Sequence, residues 1–478
     1  MWRPRAWMIG VIGIVGSLAA TRARAEPDLT IDDAIRIARS HHPTIEAQRG
    51  QAEAADGRRD QAMARLLPFL TGNLAYQPTT ANFAVTPAQA RVLFGVAGST
   101  TVLDTSGMPV AVSCRTPGIG NCALLQPPPQ SWTLHNYWEA QVGVAWTIWD
   151  WGQSIYGYRS ARDLAQAQAV GVRAAANDVV LQARLAFFGA LAADEQAAVA
   201  VDAVQTYEAH LAQTRGLHDA GLRTGIDVAT AESAAASAEI LLARSRAAQE
   251  ASRTQLLVAL GEDRWHGWRL RASDPELEMQ PGDDQRGRAS LDDLATRALG
   301  QRPELAQLRL QQQAFSASVA SARGGYLPAL SLNLEPIWAG PSWSALTGNL
   351  TVTIALGFPF GGMSPWLVHG QAREAAGNLV VARAGERASR DSILQELADA
   401  RASFNYARDE LRLARKLTEA SARQRALAEG RYQTGVGNVI ELYDALLTDV
   451  NARSQLVQAR LDVASARARL QHALGEGD

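Results

Sequence analysis

The chain of 478 residues carries 46 Lys and Arg residues against 48 Asp and Glu residues, which gives a formal net charge of -2. A length of this order allows about two to four domains. The near-neutral charge gives no electrostatic reason to expect nucleic acid as a partner. Much of the 47% hydrophobic content is alanine, which favours helices and lets them approach closely without building a thick core.

The N-terminus predicts an export signal. Two arginines precede an apolar run at residues 7–20, which is too short to span a membrane as a mature helix. Ala23 and Ala25 place small residues where signal peptidase requires them, so we expect residues 1–25 to be a signal peptide and Glu26 to begin the mature chain. The alternative is a buried N-terminal helix.

The first predicted helix of the mature chain begins at Thr30, whose side chain can cap it. Asp32 and Asp33 suit the positive end of that helix. The helix is expected to run to about Leu66 and to stop at Pro68.

Two cysteines, Cys114 and Cys122, lie in a loop-like stretch that also contains Pro117, Gly118 and Gly120. In an oxidising compartment, a disulfide that closes this loop is expected. The alternative is two unpaired thiols. A metal site is a poorer explanation, because two cysteines without a nearby histidine supply too few ligands.

Long helices are predicted in each half of the chain. Residues 153–217 contain no proline and are rich in Ala, Gln and Arg, and a helix of this length is a rod of roughly 100 Å. Glycines then interrupt the pattern, and a second helix returns to Leu260. The second half repeats this arrangement at residues 369–429 and 439–474.

Four short segments alternate between apolar and polar residues, at residues 70–77, 138–148, 330–335 and 346–354. This pattern suits strands with lipid on one side and water on the other, and a soluble sheet with one buried face is the alternative. Tryptophans cluster in or beside the strands, as at a bilayer interface. Because four strands cannot close a barrel and an open edge cannot face lipid, we expect the protein to oligomerise.

The chain also contains an internal repeat. Asp32, Asp33, Pro43 and Pro68 recur at one constant spacing as Asp292, Asp293, Pro303 and Pro328. Later matches have a shorter spacing, so the first copy carries an insertion, between Gln77 and His135. The predicted regions are a signal peptide at 1–25, a first structural repeat at 26–262, a linker at 263–290 and a second structural repeat at 291–478.

Short motifs follow one another in a fixed order. They are Leu29-Thr30-Ile31-Asp32-Asp33-Ala34, His42-Pro43, Leu67-Pro68, Ile148-Trp149-Asp150-Trp151-Gly152, Arg431-Tyr432-Gln433-Thr434-Gly435 and Glu441-Leu442-Tyr443-Asp444-Ala445. In this order, with the long helices between them, they resemble the TolC-like outer-membrane efflux family over essentially the whole mature chain.

The resemblance implies an α+β membrane protein built from an internal duplication. It implies a homotrimer whose outer-membrane β-barrel, with four strands per protomer, continues into a long periplasmic α-helical coiled-coil barrel. Such a channel would belong to a tripartite efflux or secretion system. Its partners would be a periplasmic adaptor, an inner-membrane transporter and outer-membrane lipid, with no cofactor and no enzymatic activity.

Family members close the periplasmic end of the channel with acidic residues near the helix turns. The resemblance places these positions at Asp227, Glu441 and Asp444. Tyr432 matches a tyrosine that helps to hold that end shut. An arginine that the family has after the turn glycine is Gly437 here, and the equivalent position of the first copy is Arg223. Threefold symmetry would set each carboxylate against two copies of itself in a cation-binding ring; solvated surface charges are the alternative.

The turns themselves have a small backbone profile that suits contact with the helical hairpin of an adaptor. The residues concerned are Gly221, Leu222, Gly435 and Val436. Glycines that merely cap the helix C-termini are the alternative, and both explanations can hold at once. The sequence contains no phosphate-binding loop and no HExxH or GxSxG motif, so we predict no catalytic residue and no metal ligand.

Two other classes of protein share part of this pattern. A periplasmic adaptor has a long helical hairpin, but it has one hairpin instead of two and lacks strands flanked by tryptophan. A secreted coiled-coil protein would lack the strands altogether. The sequence therefore favours an outer-membrane channel.

Overall fold

The computed structural model describes residues 28–78, 99–103, 109–113, 134, 136–271, 287, 289–358 and 364–476. The predicted signal peptide and the predicted disulfide between Cys114 and Cys122 lie outside these residues. Both therefore stay predictions, as do the proposed boundaries of the two repeats.

Most of the described chain is helical. The helices are α1 (Ile31–His41), α2 (Pro43–Ala64), α3 (Gln153–Asp219), α4 (Gly225–Leu260), α5 (Leu291–Gln301), α6 (Pro303–Gly324), α7 (Ser364–Gln433) and α8 (Val439–Ala473). The strands are β1 (Asp28–Leu29), β2 (Phe69–Tyr76), β3 (Ser99–Leu103), β4 (Pro109–Ser113), β5 (Trp138–Trp149), β6 (Arg269–Leu270), β7 (Ala329–Gly340) and β8 (Thr347–Gly357). Within the described ranges, no helix combines the length and the apolar character needed to cross a membrane.

The first helix is broken, so the prediction of one continuous helix from Thr30 to about Leu66 is wrong. Thr30 does cap α1, since its side chain accepts a hydrogen bond from the backbone N–H of Asp33 at 3.2 Å. His42 then leaves the helical conformation, with φ -68° and ψ 125°. Pro43 lacks an N–H group and disfavours helical backbone in the residue before it, and α2 begins there.

The chain forms two compact units. Unit 1 comprises the residues up to 45 together with 176–294 and 397–478, and unit 2 comprises 46–175 and 295–396. Each unit draws on both halves of the sequence. Unit 2 contains the larger sheet, and unit 1 contains the turns between the long helices.

Unit 2 holds an antiparallel sheet with the strand order β2-β5-β7-β8. Its register pairs Leu70 with Val144, Val144 with Leu334, and Leu334 with Val352. Because side chains alternate along a strand, these four residues lie on one face of the sheet. The same register places further apolar residues on that face, among them Leu74, Val142, Trp146, Leu332, Leu350 and Ile354.

The two faces of this sheet differ in polarity. Leu70 and Ile354 are 68% and 70% exposed in the single chain. The opposite face carries polar residues, which include Thr71, Asn73, Gln141, Asn333 and Thr353. The four predicted strands are thus confirmed, although β7 continues past its predicted end to Gly340.

Two short strand pairs were not predicted. β3 pairs antiparallel with β4 within the predicted insertion between Gln77 and His135, where the sequence indicated only a loop. In unit 1, β1 pairs parallel with β6, so that Asp28 lies beside Arg269 and Leu29 beside Leu270. β1 and β6 have two residues each, which is too short to show the alternation that predicts a strand.

The core of unit 1 is shared by α3, α4, α7 and α8. Its largest buried side chains include Tyr207, Tyr432 and Leu442, and the positions contributed by α4 are Ala231, Ala235 and Ala238. Small side chains allow the helices to approach closely. The long helices therefore pack through many small contacts distributed along their length.

The turn between α3 and α4 and the turn between α7 and α8 have the same backbone geometry. Gly221 and Gly435 have φ of 73° and 76°. The N–H of Leu222 donates to the carbonyl of Leu217 at 2.9 Å, and the N–H of Val436 donates to the carbonyl of Arg431 at 3.0 Å. This is the Schellman arrangement, in which a left-handed residue, usually glycine, ends a helix.

We expect Gly435→Ala to destabilise the protein by about 1–2 kcal/mol, because a Cβ atom is disfavoured in left-handed backbone. The matched control is Gly430→Ala within α7, where an added Cβ meets no atom within 4 Å. That change should stabilise the helix by about 0.5–1 kcal/mol. Thermal unfolding of the purified variants measures both, and a neutral Gly435→Ala would contradict the assigned turn.

Candidate functional site

Tyr432, near the end of α7, joins the two helix hairpins of unit 1. Its side chain is only 2% exposed. The Tyr432 hydroxyl lies 3.0 Å from Oγ1 of Thr214 on α3. Since the Thr214 hydroxyl donates to the carbonyl of His210 at 2.8 Å, its oxygen accepts the hydrogen bond that the Tyr432 hydroxyl donates. The tyrosine therefore fastens α7 to α3 close to both turns.

Arg223 approaches the same tyrosine from the first turn. Its guanidinium carbon lies 4.5 Å from the centroid of the Tyr432 ring. Such a cation–π contact contributes about 0.5–1 kcal/mol at an exposed site. The structure thus brings together two predicted site residues that come from different halves of the sequence.

Asp227 lies in the first turn of α4, where its carboxylate is occupied locally. Its Oδ2 accepts hydrogen bonds from the backbone N–H of Thr224 at 3.1 Å and from the Thr224 hydroxyl at 3.0 Å. A carboxylate in the first helical turn that bonds back to the N-cap residue stabilises the start of the helix. Helix capping therefore accounts for Asp227, and its role in a gate stays a prediction.

Glu441 and Asp444 share the exposed side of α8. The Glu441 carboxylate lies 3.0 Å from Nε of Arg431 on α7, so one predicted acidic residue has a cationic partner in its own chain. Asp444 is exposed one helical turn further along. Arg431 belongs to a motif quoted from the sequence, but its pairing depends on the turn geometry and was missed.

An ionic cluster centred on the buried Asp449 lies between α7 and α8, further from the turn, and was also missed. Asp449 is 3% exposed and accepts hydrogen bonds from Ser421 at 3.2 Å and from Arg425 at 3.1 Å. Arg425 also donates to Glu429 at 2.9 Å. Hydrogen bonding to Glu429, and then to Asp449, raises the pKa of Arg425. An aspartate between the buried Leu446 and Val450 of α8 was the available signal.

Tyr207 of α3 stacks on Tyr443 of α8, with ring centroids 5.7 Å apart and an interplanar angle of 9°. Burial raises the pKa of Tyr207 to about 12. The hydroxyl is therefore neutral at physiological pH. This apolar contact lies among the core residues that connect the two hairpins.

The predicted docking residues lie at the two turns. Gly221 and Gly435 are C-capping glycines, as the alternative explanation required. Leu222 and Val436 follow them, and each is 72% exposed. Ile226 and Ile440, at the starts of α4 and α8, are 74% and 60% exposed. Both turns thus present apolar side chains to solvent, and their use in docking stays a prediction.

Comparison with known proteins finds similarity to outer membrane efflux proteins. The sequence model of the outer membrane efflux protein family matches residues 130–262 and 294–476. Two relatives from Pseudomonas putida, described as the probable efflux pump outer membrane protein TtgC and the antibiotic efflux pump outer membrane protein ArpC, are each 24% identical over 297 residues. That match covers 58% of this chain and 56% of each relative, so the chain spans little more than half of their length.

Several solved structures have the same fold. A membrane protein from Pseudomonas aeruginosa has a TM-score of 0.73 at 17% identity, and the alignment covers 93% of both chains. The outer membrane protein VceC from Vibrio cholerae has a TM-score of 0.71 at 17% identity and covers 93% of this chain and 96% of its own. The MtrE outer membrane channel of Neisseria gonorrhoeae has the same score and identity, with 93% and 88% coverage.

The contact between Arg223 and Tyr432 can be measured by a double-mutant cycle of Arg223→Gln and Tyr432→Leu. We expect a coupling free energy of about 0.5–1 kcal/mol, because either change alone removes the cation–π contact. In a parallel cycle, Tyr432→Phe keeps the ring, so the effect of Arg223→Gln should persist. Additive losses of thermal stability in the first cycle would show that the guanidinium contributes nothing through the ring.

Proposed function

This chain belongs to the outer membrane efflux protein family, and we propose that it is the outer-membrane channel of a tripartite efflux or secretion system. It is a protein of the outer membrane with a periplasmic extension. In the proposed function it receives substrates from an inner-membrane transporter and conducts them across the periplasm and the outer membrane. The family consists of channel proteins and not of enzymes.

The observation that carries this proposal is the two-faced sheet of unit 2. Its apolar face is exposed in the single chain, with Leu74 64% and Val352 57% exposed. Burying this face in hydrocarbon removes it from water, and the polar face can then line an aqueous channel. A periplasmic adaptor is surrounded by water and would not expose an apolar sheet face, so the channel is favoured over that alternative.

The edges of the sheet support a homotrimer. β2 and β8 are the outer strands, and each is paired on one side only among the described strands. Unpaired backbone groups in lipid cost several kcal/mol each, so such edges must be joined. Pairing of β8 with β2 of the next copy closes the sheet, and three copies of four strands form the proposed barrel.

The order of elements supports the proposed duplication and the helical tunnel. In each half, a pair of shorter helices is followed by two strands of the sheet and then by two long helices. With 67 residues in α3 and 70 in α7, these helices reach roughly 100 Å at 1.5 Å per residue. Three copies of α3, α4, α7 and α8 would form the periplasmic coiled-coil barrel.

The turns provide the proposed periplasmic end of the channel. Glu441 and Asp444 lie one helical turn apart on one exposed side of α8, so threefold symmetry would set them in two rings along the pore. Asp227 would contribute from the first hairpin. Arg223 and Tyr432 hold the two hairpins together within each copy, which supports a role in keeping this end closed.

The proposed partners follow from the exposed chemistry of the molecule. The apolar side chains of Leu222 and Val436 at the turns suit the helical hairpin of a periplasmic adaptor, which in turn would connect the channel to an inner-membrane transporter. Outer-membrane lipid would cover the apolar face of the sheet. No residue of the proposed site requires a cofactor.

The lipid-facing side of the sheet can be tested with adjacent residues. We expect Val352→Arg, at the middle of β8, to cost about 2–4 kcal/mol and to prevent insertion, because its side chain would face hydrocarbon. The control is Thr353→Arg, which places the same charge on the opposite face and should insert normally. Heat-modifiable migration of outer-membrane extracts reports both, and equal behaviour of the two variants would exclude a lipid-facing side.

The acidic rings can be tested by single-channel recording in planar bilayers. Glu441→Gln combined with Asp444→Asn should weaken cation selectivity and block by multivalent cations, because the rings lose their charge. The control is Asp409→Asn combined with Glu419→Gln, which removes the same charge from exposed positions of α7 further from the turn. Wild-type selectivity in the first variant would identify these carboxylates as ordinary surface charges.

A further inference from the structure

Two helices of unit 1 carry exposed stripes at coiled-coil spacing. On α7, the α7 stripe consists of Leu413, Leu417, Ala420, Gln424 and Leu427. On α4, the α4 stripe consists of Ser233, Ala236, Ile240, Ala243 and Ala247. Steps of three and four residues alternate in both stripes, which is the a/d pattern of helices that pack side by side.

The α7 stripe exposes three leucines to solvent, at positions 413, 417 and 427. Leu413 is 57% exposed and Leu427 is 70% exposed. On the α4 stripe, Ile240 is 55% exposed. The α7 stripe also borders an open groove of about 510 Å³ between α7 and α8, which is lined by Ala420, Gln424 and Leu427 among others. Since both stripes are exposed in the single chain, another molecule is needed to cover them.

Hydrogen bonds between neighbouring helices of unit 1 show which residues of α4 and α7 lie at the same level along the helix axes. The Thr418 hydroxyl on α7 donates to the carbonyl of Ala452 on α8 at 3.2 Å. The next residue, Arg453, bonds to Asp202 on α3. Because α7 and α8 run in opposite directions, Arg453 and therefore residue 202 of α3 are level with Leu417 of α7, and the same comparison can be extended to α4.

On the other side of α3, Asp194 accepts a hydrogen bond from Gln249 of α4 at 2.8 Å. Because α3 and α4 run in opposite directions, moving from Asp194 to Asp202 corresponds to moving back along α4 from Gln249 to Leu241. Leu241 is thus level with Leu417. Ile240, one residue before it, is consequently level with Thr418 and lies within about two residue rises, roughly 3 Å, of Ala420.

A rotation axis parallel to the helices preserves these levels between copies. In the proposed homotrimer, on which this inference rests, residues that are level within one chain are also level across two neighbouring chains. We infer that α4 of one copy packs antiparallel against α7 of the next, with Ile240 set against Ala420. The partner for both stripes is therefore a second copy of this chain.

Side-chain sizes agree with this register. Ser233 meets Leu427, Ile240 meets Ala420, Ala243 meets Leu417, and Ala247 meets Leu413. Each a position faces a d position, as antiparallel coiled coils require, and each large side chain faces a small one. The exposed Glu239 falls beside Arg423, which is favourable. Arg246 falls beside Lys416, which is not, so the register is decided by packing and not by charge.

Disulfide cross-linking tests this register in the full-length protein. Ile240→Cys combined with Ala420→Cys should form an intermolecular bond on mild oxidation in outer-membrane preparations, giving covalent oligomers that a reductant dissolves. The control, Ile240→Cys combined with Leu427→Cys, is seven residues or roughly 10 Å out of register and should not cross-link. The parent protein supplies the background from Cys114 and Cys122.

A size exchange provides a second measurement. Ala243→Leu should lower the temperature at which the oligomer dissociates, and adding Leu417→Ala should restore it. Ala248→Leu, at an exposed position beside the α4 stripe, should have no effect. Trimers that neither cross-link through the first pair nor show the rescue would overturn this register while leaving the channel proposal intact. Absence of any oligomer in the parent protein would instead overturn the proposed homotrimer, and this inference with it.

Discussion

Close contact between long, alanine-rich helices is the interaction on which the described structure of unit 1 depends. An isolated helix is marginally stable in water, and most of its stability in a protein comes from covering an apolar side. The buried positions of α4 are Ala231, Ala235 and Ala238, and each alanine buries only a small apolar area. The helix contact must therefore be long to stabilise the helix. The few large side chains, such as Tyr207 and Tyr432, are placed where separate hairpins have to be joined.

The parts of the fold that could be predicted from the sequence are those with a local cause. Alternating polarity predicted β2, β5, β7 and β8, and the glycines predicted both helix turns. The break at His42 was missed because the helical pattern continues across it, although Pro43 carried the signal. The β1–β6 pair joins residues far apart in the chain and has no local cause at all.

In the candidate site, too, individual residues could be predicted from the sequence, whereas contacts between distant residues could not. The resemblance identified Tyr432, Glu441 and Asp444, but a pattern along one chain does not specify which side chains meet. The ion pair of Glu441 with Arg431 depends on the Schellman turn between them. Arg223 reaches Tyr432 because two separate hairpins end at one level. In this chain the arginine that contacts Tyr432 comes from the first hairpin, at Arg223, whereas the corresponding position of the second half is Gly437.

The β1–β6 pair has a consequence for the order in which the chain folds. Leu29, at the start of the described chain, is 2% exposed, and its strand partner Leu270 follows the whole of α4. Closing this loop costs chain entropy that grows with its length, and contacts of large sequence separation form slowly. The pairing of β1 with β6 is therefore expected to form after the hairpin of α3 and α4. A fragment that ended at the close of α4 would lack Leu270, the strand partner of Leu29. Unit 1 also includes residues 397–478, so the first half is not by itself a complete folding unit.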